Sequence, residues 1–259
     1  MLRQHACSFN PRLTQGLLGQ AKADPPKTTR RKCCFAKQEP APTQARLTKQ
    51  LIALAASGAV LGPLCDGQHS RYGVLHYTSP SIIAVPGTDW HLETCWWVPG
   101  LFAVAAVIIG TGHTVLDIVL KDGQPPDESA SDSMSWTFVT VGIAMFVVQY
   151  AASGALEAPL MQQHLAGLPL LDLLLAGTAL LQWYLLDRTF QGMLMATATA
   201  TAGPALEVLL IAKLDLYHYS HPAIGVIPTW IPWVYFCGSP AVGNLGRKIR
   251  ATLHAESAD

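Results

Sequence analysis

The sequence predicts an all-α membrane protein, a bundle of six transmembrane helices with both termini on the same side of the membrane. Of its 259 residues, 50% are hydrophobic and only 13% are charged, whereas an ordinary soluble domain carries about 25% charged residues. Its apolar residues are grouped into segments of spanning length, about 20 residues each. Its lysines and arginines are concentrated near one set of segment ends, which predicts the orientation.

Six apolar segments follow one another between residues 47 and 250. Backbone N–H and C=O groups have no water partner inside hydrocarbon, so each segment is predicted to be a helix. The first is the weakest prediction, because it contains glycine and proline and because Lys49 must extend to the headgroups. Trp96, Trp97 and Trp230 lie near segment ends, where aromatic residues are enriched. The segments are residues 47–65, 95–120, 135–156, 167–186, 189–212 and 227–246.

The distribution of lysine and arginine sets the predicted orientation. Six helices place both termini on one side, and that side holds fifteen of the 17 basic residues, while the other side holds only Arg71 and Lys213. Loops on the cytoplasmic side carry the excess of lysine and arginine. Both termini are therefore predicted to face the cytosol, or the stroma if the protein lies in a plastid.

Three regions are predicted along the chain: a basic tail, 1–46, the membrane domain, 47–250, and a C-terminal tail, 251–259. The first 50 residues hold ten of the 17 basic residues and two of the 17 acidic residues, and they contain no apolar run of signal-peptide length. Their composition resembles an organellar transit peptide followed by a proline-rich linker, which favours a plastid membrane. The alternative is a disordered cytosolic tail.

A few ionisable residues fall inside the apolar segments, where they are costly and usually face protein or water. His113 and Asp117 are four residues apart, share a helical face, and lie near the same membrane side as the turn at Asp187 and Arg188. The pattern allows a docking surface or a proton site there, or only interface solvation with a His–Asp pair. Glu207, deep in the fifth segment, is either a protonated core acid or a group that lines a site.

No catalytic or metal-binding signature appears, so the sequence predicts a protein that is not an enzyme and uses no cofactor. Nucleophile-elbow, zinc-protease and nucleotide-loop motifs are missing. The six cysteines form no CxxC pair, and Cys65 and Cys95 are expected to be reduced rather than bridged. The basic tail has no folded platform, so nucleic-acid binding is not predicted either.

Histidine is unevenly distributed on the predicted topology. The outer loops, 66–94, 157–167 and 213–226, hold six of the nine histidines. An unperturbed histidine titrates near pH ~6.5, so an acidic compartment on that side would reverse the charge of these loops. The pattern is either a pH switch or a chance distribution of polar residues.

Several motifs in the membrane region resemble the Insig (insulin-induced gene) family. They are "CWWVPG" before the second helix, "LLDRTFQG" between the fourth and fifth, "YHYSHP", and "SPAVGNLGRKI" in the sixth. These motifs occur in the family's order, and the resemblance covers about 95–250.

The resemblance implies a non-enzymatic six-helix protein that binds a sterol or another lipid. It also implies docking onto another multi-pass membrane protein of the endoplasmic reticulum, and thereby regulation of sterol synthesis. The aspartate of the family's DR turn, which is important for partner binding, matches Asp187, and Arg188 follows it. The family's lipid-contacting aromatic residues match Phe146 and Trp183. A polar amide that the family carries early in the fourth helix has no match among residues 170–172.

Different functions remain open at this level. The first is a lipid- or sterol-responsive scaffold that docks a partner. The second is a small-solute or proton transporter that uses His113, Asp117 and Glu207, for which inverted repeats and broken helices would be expected. An intramembrane enzyme is disfavoured, because it needs a metal or nucleophile set that is missing. The membrane is that of a plastid, from the tail, or of the endoplasmic reticulum, from the resemblance.

Overall fold

Six helices form the membrane domain in this computed structural model, which describes residues 42–84, 86–89, 91–120 and 134–256. The all-α prediction is confirmed. The predicted transit-like basic tail, 1–46, lies outside the described residues except for residues 42–46. The helices are α1 Pro42–Arg71, α2 Val98–Leu120, α3 Trp136–Leu160, α4 Leu170–Leu186, α5 Phe190–Ala212 and α6 Ile231–Ala255.

Four of these helices, α1, α2, α3 and α5, are long and apolar enough to cross a membrane. Helix α4 is apolar but has only 17 residues. Helix α6 is less apolar because it lies at the centre of the bundle, where it contacts all five other helices and buries polar residues such as Ser239 and Asn244. The protein is therefore a helical membrane protein, and the count of six crossings stays a prediction.

The helices alternate in direction, which places the start of α1 and the end of α6 at one end of the bundle. Gln50 in α1 donates a hydrogen bond to the carbonyl oxygen of Gly246 in α6 at 3.3 Å. Trp230, just before α6, reaches Glu157 near the end of α3 at the other end. We call the end that holds the start of α1 and the end of α6 the terminal end. We call the opposite end, where Trp230 meets Glu157, the loop end. That the start of α1 and the end of α6 share one end agrees with the prediction, whereas the membrane face that this end meets stays a prediction.

Short strands connect the loops at the loop end. Strands β1 Leu75–Tyr77 and β6 Tyr217–Tyr219 pair antiparallel, so the chain after α1 is joined to the chain after α5. Strands β2 Ser81–Ala84 and β3 His91–Thr94 form a hairpin before α2. Strands β4 His164–Leu165 and β5 Leu168–Pro169 form a tight turn between α3 and α4.

Two helix boundaries differ from the prediction in ways that matter for function. Helix α1 runs from Pro42 to Arg71 instead of 47–65, and α6 continues to Ala255 instead of ending near 246. Helices continue past the hydrocarbon because propagation adds one hydrogen bond per residue fixed. The length of an apolar segment therefore underestimates the length of its helix. Residues 42–46 of the predicted basic tail and residues 251–255 of the predicted C-terminal tail are therefore helical. His69, assigned to an outer loop, is a buried residue of α1.

Candidate functional site

A cavity lies between α1, α2, α3, α5 and α6. The cavity extends along α1 from Ser57 to His69, a stretch of roughly 18 Å at 1.5 Å per residue. Most of its wall is apolar, and the apolar side chains include Leu61, Phe102, Ile109, Ile143, Phe146, Val234 and Val242.

Polar side chains line the cavity toward the loop end. Glu207 of α5 is buried, and its two carboxylate oxygens accept hydrogen bonds from the hydroxyls of Tyr219 at 2.8 Å and Tyr235 at 2.7 Å. Glu207, Tyr235, His69 and Tyr150 are all lining residues. The alternative that Glu207 lines a site is therefore the one that the geometry favours.

A second buried acid is held in the same way behind the cavity wall. Asp66 of α1 accepts a hydrogen bond from Tyr77 and another from Tyr150, both at 2.6 Å. In the loops, burial raises the pKa of Tyr77 and of Tyr219, so these hydroxyls keep their protons and remain donors. We define the loop-end cluster as Asp66 and Glu207, the tyrosines that donate to them, and the neighbouring pair His69 and Ser153. The tyrosines are Tyr77, Tyr150, Tyr219 and Tyr235.

His69 connects this cluster to α3. Its Nε2 lies 2.8 Å from the Ser153 hydroxyl oxygen. Its ring stacks on Tyr150 with centroids 4.2 Å apart and meets the edge of Trp230 at 5.2 Å. The ring is therefore fixed on three sides.

A different polar cluster lies at the terminal end. Arg247 of α6 forms a two-point ion pair with Asp117 of α2, through Nε at 2.7 Å and Nη2 at 3.0 Å. Its Nη1 reaches Asp187 at 3.2 Å and the side-chain oxygen of Asn244 at 3.0 Å. His113 lies beside them, with Nδ1 3.6 Å from Asp187. We call His113, Asp117, Asp187, Asn244 and Arg247 the terminal cluster.

Asp187 is an internal anchor of the turn between α4 and α5. Its side chain is 0% exposed, and it also accepts a hydrogen bond from the hydroxyl of Thr189. Thr189 in turn caps α5 by accepting from the backbone N–H of Gly192 at 2.9 Å. A partner cannot reach this carboxylate directly, because burial between α2, α5 and α6 closes it off. A role of Asp187 in partner binding stays a prediction and has to act through the shape of the turn.

Arg188 is the exposed half of the pair. It adopts a positive φ of 55°, which ends the turn. Its guanidinium carbon lies 4.5 Å from the centre of the Tyr184 ring. Of the two residues, Arg188 is the one that a partner at the terminal end can touch.

The two aromatic residues expected to contact lipid both pack against the core of Ala179, Ala196, Phe236 and Cys237, but they differ in their relation to the cavity. Phe146 lines the cavity and meets Tyr150 edge to face, with ring centroids 5.8 Å apart. Trp183 is not among the lining residues that the structure describes. It donates to the carbonyl oxygen of Thr189 at 3.3 Å. Lipid contact by either residue stays a prediction.

The intramembrane polar residues of the transporter hypothesis do not come together. His113 and Asp117 belong to the terminal cluster, whereas Glu207 belongs to the loop-end cluster. His113 contacts Ser239 through Nε2 at 3.0 Å. In the residues that the structure describes, no group of three or more His, Cys, Asp or Glu side chains could hold a metal ion. The geometry therefore favours binding between helices over a proton path.

Sequence reasoning missed several polar groups of the interior. Gln149 of α3 donates to the carbonyl oxygens of Leu175 and Trp233 at 3.2 Å. Gln182 of α4 donates to the carbonyl oxygen of Cys237 at 2.9 Å. A polar amide within an apolar segment is a recognisable signal, but only ionisable residues were considered. Asp66 and His69 were missed because the end of α1 was placed too early.

Comparison with known proteins agrees with this architecture. The family model "Insulin-induced protein (INSIG)" matches residues 49–250. The insulin-induced gene 1 protein of Homo sapiens is 26% identical over 204 residues, which cover 79% of this chain and 66% of the human protein. That of Danio rerio is 29% identical over 161 residues, covering 62% and 59%. The chain thus spans less than two thirds of the length of these relatives.

A solved structure shows the same fold. The crystal structure of a mycobacterial Insig homologue from Mycobacterium vanbaalenii superposes with a TM-score of 0.60 at 18% identity. The superposition covers 78% of this chain and 95% of that one. Identity this low carries no information on ligand or partner. The family match extends over most of the chain, from α1 to α6, and the chain belongs to the INSIG family.

Proposed function

We propose that the protein is a non-enzymatic, lipid- or sterol-responsive scaffold that holds a lipid in the central cavity and docks onto another multi-pass membrane protein. By doing so it regulates lipid or sterol metabolism. The observation that carries this proposal is the mostly apolar cavity lined by residues of five helices. Its apolar length and its polar loop end match an amphipathic molecule.

The length and the apolar lining of the cavity support a lipid as the occupant. A stretch of roughly 18 Å along α1 is long enough for a sterol ring system or a folded acyl chain. Covering apolar surface stabilises a complex by roughly 25 cal/mol per Å². Polar groups confined to one end give such a molecule a fixed orientation, with its head toward the loop end.

Docking of a partner fits the terminal end. Arg188 and Tyr184 are exposed there, next to a turn that the terminal cluster holds rigid. The resemblance to the Insig family supports this turn as a partner-binding element. Membership of the family also supports the endoplasmic reticulum membrane, whereas the plastid location gains no support from the relatives.

The lipid-holding role is tested by filling the cavity. Ala105 and Val104 are neighbours on α2, but Ala105 lines the cavity while Val104 is 58% exposed on the outer surface. The Ala105→Trp variant is expected to lose a lipid that co-purifies with the wild-type protein. Val104→Trp adds similar bulk outside and should retain it. Mass spectrometry of the full chain from endoplasmic reticulum membranes compares the three, and bulk lipid composition in all of them would refute the role.

A further inference from the structure

Two arginines at the terminal end carry buried nitrogen atoms that have no hydrogen-bond partner. The atoms are Nε of Arg46 in α1 and Nη1 of Arg250 in α6. Both residues are only partly buried, so a molecule at the surface can reach the rest of each guanidinium. Buried polar atoms in folded proteins almost always have a partner, and a guanidinium has donors only. The missing partner is therefore a hydrogen-bond acceptor.

The register of α1 against α6 brings the two arginines to the same level of the bundle. Gln50 of α1 donates to the carbonyl oxygen of Gly246 in α6, and the two helices run in opposite directions. Arg46 lies four residues before Gln50, and Arg250 lies four residues after Gly246. Residues four apart share a helix face, so each arginine lies one turn nearer the terminal end on the face that meets the other helix. The two guanidinium groups can therefore share one ligand.

The charges around this pair show that the partner is an anion. Within the part of the chain that the structure describes, neither arginine forms an ion pair with a carboxylate. Asp117 and Asp187, the buried acids of the terminal end, are already bound by Arg247. Lys49 on α1 and Lys248 on α6 add two more positive charges close by. Charges removed from water are normally paired, so these arginines call for a negative ligand from outside the bundle.

The depth of the pair in the membrane identifies the anion. Helix α1 is long and apolar enough to cross a membrane, and Ile52 on its outer surface is 63% exposed, so that surface faces acyl chains. Arg46 precedes Ile52 by about 9 Å along the helix axis, which places it at the level of the headgroups. Basic pockets between transmembrane helices bind anionic headgroups, and guanidinium groups suit phosphate oxygens. An anion at headgroup depth is a lipid phosphate.

We propose that Arg46 and Arg250 bind the phosphate of an anionic phospholipid in the leaflet at the terminal end. Rotation about the outer side-chain bonds turns Nε of Arg46 and Nη1 of Arg250 toward the phosphate oxygens, which accept from both. The phosphate thereby links the start of α1 to the end of α6. Neither arginine is among the residues that line the central cavity, so this site is separate from the cavity and does not depend on its occupant.

The test uses the purified full chain in nanodiscs of dioleoylphosphatidylcholine. Dioleoylphosphatidic acid is added as the phosphate probe and oleate as a carboxylate probe, and native mass spectrometry measures how much of each stays bound. The wild-type protein should prefer phosphatidic acid by about tenfold, the effect of about one charge-assisted hydrogen bond. Arg46→Gln combined with Arg250→Gln should reduce this ratio to about one. Lys49→Gln combined with Lys248→Gln removes the same charge from the same helices and should change the ratio by no more than about twofold.

Arg46→Lys combined with Arg250→Lys provides a second readout, which decides the matter if the glutamine variant does not fold. An ammonium keeps the charge but loses the planar fork, so this variant should bind phosphatidic acid with intermediate preference. An equal loss in the arginine and lysine pairs overturns the inference, because general attraction to the surface would then explain binding.

Inorganic phosphate in excess distinguishes a lipid from a free anion. It should leave phosphatidic acid bound to the wild-type protein, because the acyl chains hold the lipid in the bilayer, and displacement overturns the assignment to a lipid. Equal retention of phosphatidic acid and oleate by the wild-type protein means that carboxylates satisfy the site as well. That result overturns the inference and leaves the lipid-holding function of the cavity intact.

Discussion

The two ends of the bundle bury acids in opposite ways. At the terminal end, Asp117 and Asp187 are neutralised by the charged guanidinium of Arg247. At the loop end, Asp66 and Glu207 are held by the neutral hydroxyls of tyrosines. A buried ion pair of this geometry ties helices together with charge, whereas neutral donors leave the neighbouring cavity free to accept an uncharged ligand. The terminal end is therefore an anchor between helices, whereas the loop end is part of the binding site.

Removal of the charge at the terminal end should produce the largest effect. Arg247→Ala leaves Asp117 and Asp187 buried without their partner, and breaking a buried ion pair by removing one member costs roughly 3–5 kcal/mol. The variant is expected to melt far below the wild-type protein in detergent, as followed by circular dichroism. Arg247→Lys should be intermediate, because an ammonium cannot form the two-point contact with Asp117.

Lys248 offers the matched control for that loss. It follows Arg247 on α6 and is only partly buried, so Lys248→Ala should change the free energy of unfolding by no more than about 0.5 kcal/mol. If both alanine variants melted alike, the terminal cluster would not be an anchor.

Two aromatic residues, Phe146 and Trp183, test whether the ligand lies in the cavity. Both residues pack against the core of Ala179, Ala196, Phe236 and Cys237, but Phe146 also lines the cavity, whereas Trp183 is not among the lining residues that the structure describes. A Phe side chain covered by ligand contributes roughly 1.5–3 kcal/mol, so Phe146→Ala should reduce the co-purified lipid by tenfold or more. Trp183→Ala should lower stability but retain the lipid per folded molecule. Lipidomics on the correctly folded fraction measures both, and equal lipid loss in the two variants would place the ligand elsewhere.

A steric change tests the anchor without altering its charges. A Cβ added at Gly192 would lie on the carboxylate of Asp187, within 2.6 Å of three of its atoms. Forcing an extra methyl into such a contact costs roughly 1–3 kcal/mol, and Gly192→Ala should destabilise the protein accordingly. Gly177 in α4 has nothing within 4 Å of its added Cβ, so Gly177→Ala should be neutral or slightly stabilising. Chemical denaturation of both variants checks the sign of each effect.

The terminal end was largely predictable from the sequence, and the loop end was not. The spacing of His113 and Asp117 placed them on one face near the Asp187–Arg188 turn, and the structure does gather them. That Arg247 buries Asp187 depends on the register of α6 against α2, which no local pattern contains. At the loop end, the donors come from strands far apart in the chain, such as Tyr77 and Tyr219.

Fold class was predictable for a simple physical reason. Apolar segments of spanning length must form helices in hydrocarbon, and this fixed four of the six helices, α2 to α5, to within a few residues. Helix α6 was also found from its apolar segment, but it extends nine residues beyond the predicted end. The length of α1 was underestimated, since a helix that leaves the membrane is no longer marked by hydrophobicity, and His69 was misplaced with it.

The smallest expected change in stability tests whether the anchor and the docking element are separate. Arg188 is exposed, and the contact described for its side chain is with the Tyr184 ring, so Arg188→Ala should shift the free energy of unfolding by no more than about 0.5 kcal/mol. If the turn docks a partner, this variant should nevertheless recover less of a membrane protein that co-purifies reproducibly with the wild-type chain.

Asp187→Ala should lose stability and partner together, because the carboxylate supports the turn from within. Quantitative mass spectrometry of both pull-downs, with Lys248→Ala as the control, separates the two effects. Full partner recovery by Arg188→Ala would mean that the turn is an anchor and that docking occurs on another surface.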